Sequence, residues 1–295
     1  MPVAVLVVNY HVYDELDRAL TSLEPFLRPD DEIVVVDQES ETARAGEVRA
    51  RHPRATWVPI ARNVGFAAGV NLAARASTAP FLMLLNPDVI VDEPIVARLE
   101  QYLRDHPRVA VVGPRVLNVD GSVQPSARRF PGLTTMFAGR STWLTRRYPQ
   151  NWLSQWNLPA QTIDRAVEVD WVAGSCLLTR REVFDTLGGF DESFFLYWED
   201  ADFCRRAERL GWECVYLPLV SIRHAGGRSA ASNPAAAVRA FHASAFHLYR
   251  KHAGPVGRAL APFARAVLWA RGEWFAWRAT QVRQVRRVRQ VRGTS

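Results

Sequence analysis

Lysine is almost missing from this 295-residue chain: Lys251 is the only one, and arginine supplies the other basic residues. We read that bias as genome composition. Cysteine is scarce too. Cys176, Cys204 and Cys214 are odd in number and none has CxxC spacing, which excludes a zinc ribbon and a disulfide framework. No run of about 18 residues is apolar and free of charge, so a spanning helix is not expected. No basic segment followed by an apolar one opens the chain, so no secretory signal is expected. With 48% hydrophobic and 23% charged residues, the chain has enough apolar material for a sizeable core and is not disordered by composition. These absences predict a cytoplasmic protein with reduced thiols.

The net charge is +7, but it is concentrated. Residues 271–295 hold seven arginines against one acid, Glu273, leaving the rest of the chain near neutral. The basic signal therefore belongs to a tail, not to a nucleic-acid-binding body.

Over the first hundred or so residues, short apolar runs alternate with helical spacing. Val3–Val8, Ile33–Val36, Thr56–Ile60, Phe81–Leu85 and Val109–Val112 read as buried strands. Leu16, Leu20, Leu23 and Leu27, then 41–51, Phe66–Ala76, and Ile95, Leu99 and Leu103 read as helices. Such alternation predicts an α/β fold with a mostly parallel sheet flanked by helices. Asn9, Asp37, Asn63 and Asp88 each fall at or just past a strand's C-terminal end, where ligands bind in open α/β sheets.

Residues 118–165 break the rhythm with prolines, glycines, Trp143, Trp152 and Trp156. A loop this long is a lid, a binding loop, or a surface excursion packed by its aromatics. Beyond it we expect a helix over 180–187, another over 200–210, and two short strands, 213–217 and 220–223. The pattern from Pro234 onward is helical.

Four places could carry chemistry. Asp88, after Leu84-Leu85-Asn86-Pro87, can hold a hard divalent cation, though Asn-Pro-Asp is also good turn chemistry. Glu199, Asp200 and Asp202 follow the aromatic run Phe194–Trp198 and can supply a general base; helix capping explains one of the three acids. His224 ends a strand and can ligate a metal or be structural. Arg62-Asn63-Val64-Gly65-Phe66 opens a helix and can meet phosphate or base.

Taken in order, these motifs resemble the inverting glycosyltransferase family 2 with the GT-A fold, in particular the bacterial sugar transferases that include rhamnosyltransferases. The resemblance is carried by 5–10, 32–37, 63–71, 84–88, 172–176, 188–192, 195–202 and His224, and spans about residues 3–226. It implies that Asn9, Tyr10, Asp37, Arg62, Asn63 and Asn71 line the donor nucleotide. It implies that Asp88, with His224, binds Mg²⁺ or Mn²⁺, and that Asp200 is the catalytic base. Gly174, Ser175, Trp198 and Glu199 would meet the acceptor. The family's first metal-motif acid is Asn86 here, which can offer an oxygen to metal or ribose but no charge.

The resemblance further implies a 1–230 catalytic domain, divided into a nucleotide half (1–115) and an acceptor half (116–230), followed by a helical region over 231–295. The expected activity is transfer of a sugar, rhamnose from dTDP-rhamnose first, to a glycan or polyprenyl-diphosphate-linked acceptor in cell-envelope polysaccharide synthesis. Galactofuranosyl or glucosyl transfer from a UDP donor is the nearest alternative. A non-catalytic nucleotide-sugar-binding protein is another, against which Asp88, Asp200 and His224 together argue. A dehydrogenase is opposed by Asn9-Tyr10-His11-Val12-Tyr13 where GxGxxG should stand. In residues 272–295, Trp274, Phe275 and Trp277, then valines interleaved with arginines, predict an interfacial helix on an anionic membrane surface. The enzyme would then be peripheral at the inner face of the plasma membrane. No nucleic-acid module is present.

Overall fold

The computed structural model describes residues 1–40, 43–131, 147–148, 152, 163–225 and 234–292, with side chains through 281. Most of the 118–165 insertion, Trp143 and Trp156 included, lies outside the described residues, as do the side chains of 282–292.

The chain begins with β1 (Val3–Tyr10), α1 (Tyr13–Leu23), β2 (Glu32–Gln38), α2 (Ala43–Arg51) and β3 (Ala55–Ile60). It continues with α3 (Phe66–Arg75), β4 (Phe81–Leu85), β5 (Val89–Ile90), α4 (Ile95–Asp105) and β6 (Val109–Leu117). Then come β7 (Ala127–Arg128), β8 (Val167–Glu168), β9 (Trp171–Val172), β10 (Cys176–Arg180) and α5 (Arg181–Thr186). The chain ends through α6 (Glu199–Arg209), β11 (Glu213–His224), α7 (Pro234–His252), α8 (Pro255–Ala259) and α9 (Ala261–Arg292).

The main sheet has the order β3-β2-β1-β4-β10-β6-β11-β5, with β8 on β11; β7 and β9 form a separate pair. Strands β3, β2, β1 and β4 are parallel, whereas β10 runs against both β4 and β6. The chain moves outward from β1 to β3 and returns to β4 on the other side of β1. That return is a topological switch point, and the crevice beyond the strand ends there is open to a ligand. β1 is buried on both faces: Val3, Val5 and Val7 join a core under α1 and α4, while Ala4, Leu6 and Val8 join the core that includes α3 and α6. This two-sided burial is why the strand reads as a continuous apolar run rather than an alternation.

Two details differ from the sequence reading. The expected strands 213–217 and 220–223 are one strand, β11, whose register against β6 shifts between Leu217 and Ser221. Pro218, with no N–H to give, sits in that irregularity, so it interrupts the ladder without ending the strand. Helix α7 also docks on the 191–202 segment, described below.

Candidate active site

The strand ends bring Asn9 and Asp37 into register as neighbours. Asp37 is fully buried and accepts from Asn9 Nδ2 (2.8 Å), Tyr13 Oη (3.2 Å) and Arg49 (3.1 Å). Tyr13 and Arg49 carried no signal in the sequence, because each comes from a helix that only the fold sets beside β2. Asn9 Oδ1 is buried with no hydrogen-bond partner. At the rim, His11 (φ 56°) and Glu39 (φ 54°) are both left-handed and pair at 3.1 Å, turning the ends of β1 and β2 alike. Tyr10 lies beside them, its ring 4.4 Å from that of His11.

The loop into α3 is tied to the same rim. Val64 N donates to Gln38 Oε1 (2.8 Å), and Asn63 Oδ1 accepts from Gly65 N (2.9 Å), so the Asn63 side chain closes its own turn. Arg62 is exposed on this loop. Gly65 has φ 88° and ψ 173°, and a Cβ there would lie 2.5 Å from the Phe195 carbonyl oxygen. Only glycine lets this loop touch the aromatic run before α6.

The Asn71 side chain is tied into the fold. It is buried in α3, with Nδ2 donating to Phe190 O (2.9 Å) and Glu192 Oε1 (3.0 Å), and Oδ1 accepting from Phe190 N (2.9 Å). Its amide staples α3 to the Gly189–Glu192 loop, with both Nδ2 hydrogens taken and Oδ1 accepting one bond.

Asp88 and His224 meet after β4 and at the end of β11, where Asp88 Oδ1 is 3.1 Å from His224 Nε2. Asn86 Nδ2 is 3.4 Å from the same nitrogen. Gln124 orients the ring: its amide nitrogen is committed to Asn118 Oδ1 (2.7 Å) and His224 O (2.9 Å), so its Oε1 faces His224 Nδ1 at 3.1 Å. That network assigns a proton to Nδ1. Nε2, 3.1 Å from a carboxylate oxygen, must then carry a proton itself or share a cation with that oxygen. One carboxylate, one imidazole and one amide make an oxygen-and-nitrogen donor set that fits Mg²⁺ or Mn²⁺ sharing its remaining positions with another ligand. Among the described residues no group of three or more His, Cys, Asp or Glu side chains forms a metal cluster, so the protein's share of such a site is small.

A cavity of about 320 Å³ joins this corner to the acidic one. Asn86 and His224 line it, as do Gly174, Ser175, Trp198, Glu199 and Asp200. Backbone links span it: Asn86 N donates to Ser175 O (3.0 Å) and Gly174 N to Asp200 Oδ2 (2.8 Å). Asp200 Oδ1 accepts from Ala201 N at 2.7 Å. Burial raises the Asp200 carboxyl above its ordinary value, while the Gly174 and Ala201 N–H groups and then Arg128 pull it back toward the ionised form. Glu199 is buried, its Oε2 lacks a hydrogen-bond partner, and burial followed by the Asp200 charge raises it well above the usual carboxylate range. The described start of the insertion belongs to the site, since Gln124, Ser126 and Arg128 also line the cavity. Arg128 lies over the Trp171 ring at 5.0 Å.

Asp202 points the other way. It is fully buried and meets Arg206 (2.8 Å), Lys251 (2.8 Å) and His252 (2.7 Å); Lys251 also reaches Asp191 at 2.6 Å. The acid three positions into α6 is thus an anchor for α7, and of the three acids only Glu199 and Asp200 face the cavity.

The sequence model of glycosyltransferase-like family 2 matches residues 1–252, taking in α7. An N-acetylglucosaminyl-diphospho-decaprenol L-rhamnosyltransferase of Mycobacterium tuberculosis is 31% identical over 270 residues, covering 85% of each chain. Rhamnosyltransferase WbbL of Escherichia coli is 26% identical over 152 residues, covering 51% of this chain and 54% of its own. Among solved structures, the mannosyltransferase PcManGT from Pyrobaculum calidifontis, in complex with GDP-Man and Mn²⁺, superposes with a TM-score of 0.58 at 17% identity. That likeness covers 95% of this chain and 75% of the other, and the fold is GT-A.

Proposed function

The chain belongs to glycosyltransferase-like family 2, and from that membership we propose that it transfers rhamnose, from dTDP-rhamnose, to a hydroxyl of a polyprenyl-diphosphate-linked glycan with inversion. The observation that carries the reading is the single cavity that Asp200 and Glu199 share with Asn86 and His224. The Mycobacterium tuberculosis relative supports the sugar and the lipid-linked acceptor.

The nucleotide base lies in the crevice at the ends of β1 and β2, beside Tyr10, Asn9 and Arg62. Asp37 sets Asn9 there through the 2.8 Å bond. Asp88 and His224, with Asn86 as a neutral oxygen donor, would hold Mg²⁺ or Mn²⁺. When bound, the ion supplies positive charge to the departing diphosphate. Asp200 takes the proton of the acceptor hydroxyl, which is a poor nucleophile until then. The N–H groups on both its oxygens fix the carboxylate, and burial makes it a better base than an exposed aspartate. Attack from the face opposite the leaving diphosphate inverts the anomeric carbon, and no covalent intermediate forms. Trp198 and Trp171, with ring centroids 5.7 Å apart, give the acceptor sugar an aromatic wall.

A lipid-linked acceptor places the reaction at the inner face of the plasma membrane, and the arginine-rich tail fits an anionic lipid surface. Nucleotide release with dTDP-rhamnose, UDP-galactofuranose, UDP-glucose and GDP-mannose as rival donors tests the donor assignment. Preference for any donor but the first overturns it.

A further inference from the structure

No helix of the described residues is long and apolar enough to cross a membrane. Yet the large apolar side chains that α9 exposes begin before the basic tail and continue into its first turns. Phe263, Val267, Trp269, Trp274 and Trp277 are between 48% and 71% exposed. At roughly 100° per residue, Phe263, Val267, Trp274 and Trp277 share one side of α9 and Trp269 extends it. Leu268, Gly272 and Phe275 fall on the opposite side, which packs on α7: Gly272 is buried, and Phe275 stacks with His242 at 6.2 Å. Val256 and Leu260, also exposed, precede the stripe in and just after α8.

Arginines border this arc on both edges. Arg265 lies along one edge, Arg271 and Arg278 along the other, and Arg278 sits 5.0 Å over the Trp274 ring. Glu273 is the only acid between residues 253 and 295, and its carboxylate is taken by Arg239 at 2.8 and 2.9 Å. Glu273 falls inside the arc, between Trp269 and Trp277, but Arg239 offsets its charge, so the face as a whole is aromatic and cationic.

We propose that this face of α9, centred on Phe263, Val267, Trp274 and Trp277, is the surface by which the protein lies on an anionic bilayer, its arginines at the phosphates and its rings in the headgroup boundary. The proposal deepens the membrane part of the reading above and rests on it, while extending the contact N-terminal of the basic tail to Phe263. Two features select lipid over a second copy of the chain. With Trp269 included, the arc covers about half the helix circumference, wider than the seam of paired helices. Nine arginines between residues 253 and 295, with one acid already paired, make two such helices repel each other.

The test uses full-length protein and co-sedimentation with vesicles of phosphatidylglycerol mixed into phosphatidylcholine, against phosphatidylcholine alone, across a salt series. Wild type is expected to bind the anionic vesicles, less tightly as salt rises. Phe263→Ser/Trp274→Ser/Trp277→Ser should weaken binding at least about tenfold, since each ring removed from the headgroup boundary forfeits part of its burial energy. Arg265→Glu/Arg278→Glu should abolish the preference for anionic vesicles. All five sites are exposed, so both variants should fold, as circular dichroism checks. Unchanged binding in the triple variant overturns the proposal. So does a wild-type dimer, seen by sedimentation velocity, that the triple variant converts to monomer, for then the face covers a second copy. Sugar transfer to a soluble acceptor without vesicles reads the catalytic assignment separately: its absence from wild type overturns that assignment and leaves the vesicle result to decide this one.

Discussion

Asp200 and Asp202 are two positions apart on one helix, and amide substitution should separate them completely. Asp202→Asn removes the charge that Arg206, Lys251 and His252 converge on inside the protein. Breaking a buried ion pair from one side costs about 3–5 kcal/mol. Lys251 keeps Asp191 at 2.6 Å, and Arg206 keeps the Leu187 and Gly189 carbonyls, so the lower end applies. At about 2.1 cal/mol/K of unfolding entropy per residue, about 3 kcal/mol lowers the Tm of a chain this size by roughly 5 °C. Asp200→Asn loses one of two backbone N–H bonds, a cost of about 1 kcal/mol, and relieves the burial of a charge, which acts in the opposite direction. Its Tm should stay within a few degrees of wild type.

Turnover should invert that ranking. Asp200→Asn should fall about 10²–10⁴-fold at saturating donor, with donor affinity by calorimetry unchanged. Asp202→Asn, assayed well below its Tm, should keep most of its rate. The base must be ionised to accept a proton, so the wild-type rate falls as pH drops through the Asp200 value. Because burial raises that value, the acid limb should lie above the ordinary aspartate range. It should persist in Asp202→Asn and vanish in Asp200→Asn. Near-normal turnover in Asp200→Asn, or a dead Asp202→Asn with wild-type Tm and donor binding, would refute the reasoning.

Arg128→Gln removes a charge that favours ionised Asp200, so the acid limb of the pH–rate profile should move to higher pH; a limb that stays or moves down contradicts the electrostatic link. Asp88→Ala should abolish metal-dependent donor affinity, measured by calorimetry with and without Mn²⁺; wild-type affinity that is equal in both conditions removes Asp88 from a metal site. Gly65→Ala combines φ 88° with a Cβ 2.5 Å from the Phe195 carbonyl, whereas Gly121→Ala at φ 82° meets nothing. The first should cost more than about 3 kcal/mol and the second about 1–2 kcal/mol in denaturant melts, and equal losses would show that the Phe195 contact contributes nothing.

The β1–β4 half was legible because its strands are buried on both faces and their polar residues fall where the apolar runs stop. Asn9 next to Asp37, and Asp88 near His224, follow from strands ending at one edge. The role of Asp202 was not legible, since its partners Lys251 and His252 arrive from a helix some fifty positions downstream. The structural part of Asn71 was hidden for a related reason: its amide bonds the Phe190 backbone, 119 positions downstream. Tyr13 and Arg49 stayed hidden because ordinary helical residues become ligands of a buried acid only when helices pack beside β2.

The turn before α6 explains why a helix so far along the chain belongs to the site. Tyr197 (φ 70°) and Trp198 (φ 71°) are consecutive left-handed residues, and neither is glycine. Each such conformation costs on the order of 1–3 kcal/mol, so the surroundings must hold it. Helix α7 does: Ser244 Oγ donates to Leu196 O (2.8 Å), Trp198 Nε1 donates to Phe241 O (3.1 Å), and Phe241 meets the Tyr197 ring edge-on at 5.7 Å. The reversal starts α6 at Glu199, so that its positive N-terminal end lies at the cavity wall beside Asp200. A helix N-terminus favours the ionised carboxylate, against the burial that disfavours it. The Asp200 carboxyl is therefore set by two opposing fields, and the geometry that balances them is maintained from α7. Loss of the α7 contacts should release the turn, move the helix end away from Asp200 and lower turnover without touching any residue of the donor crevice.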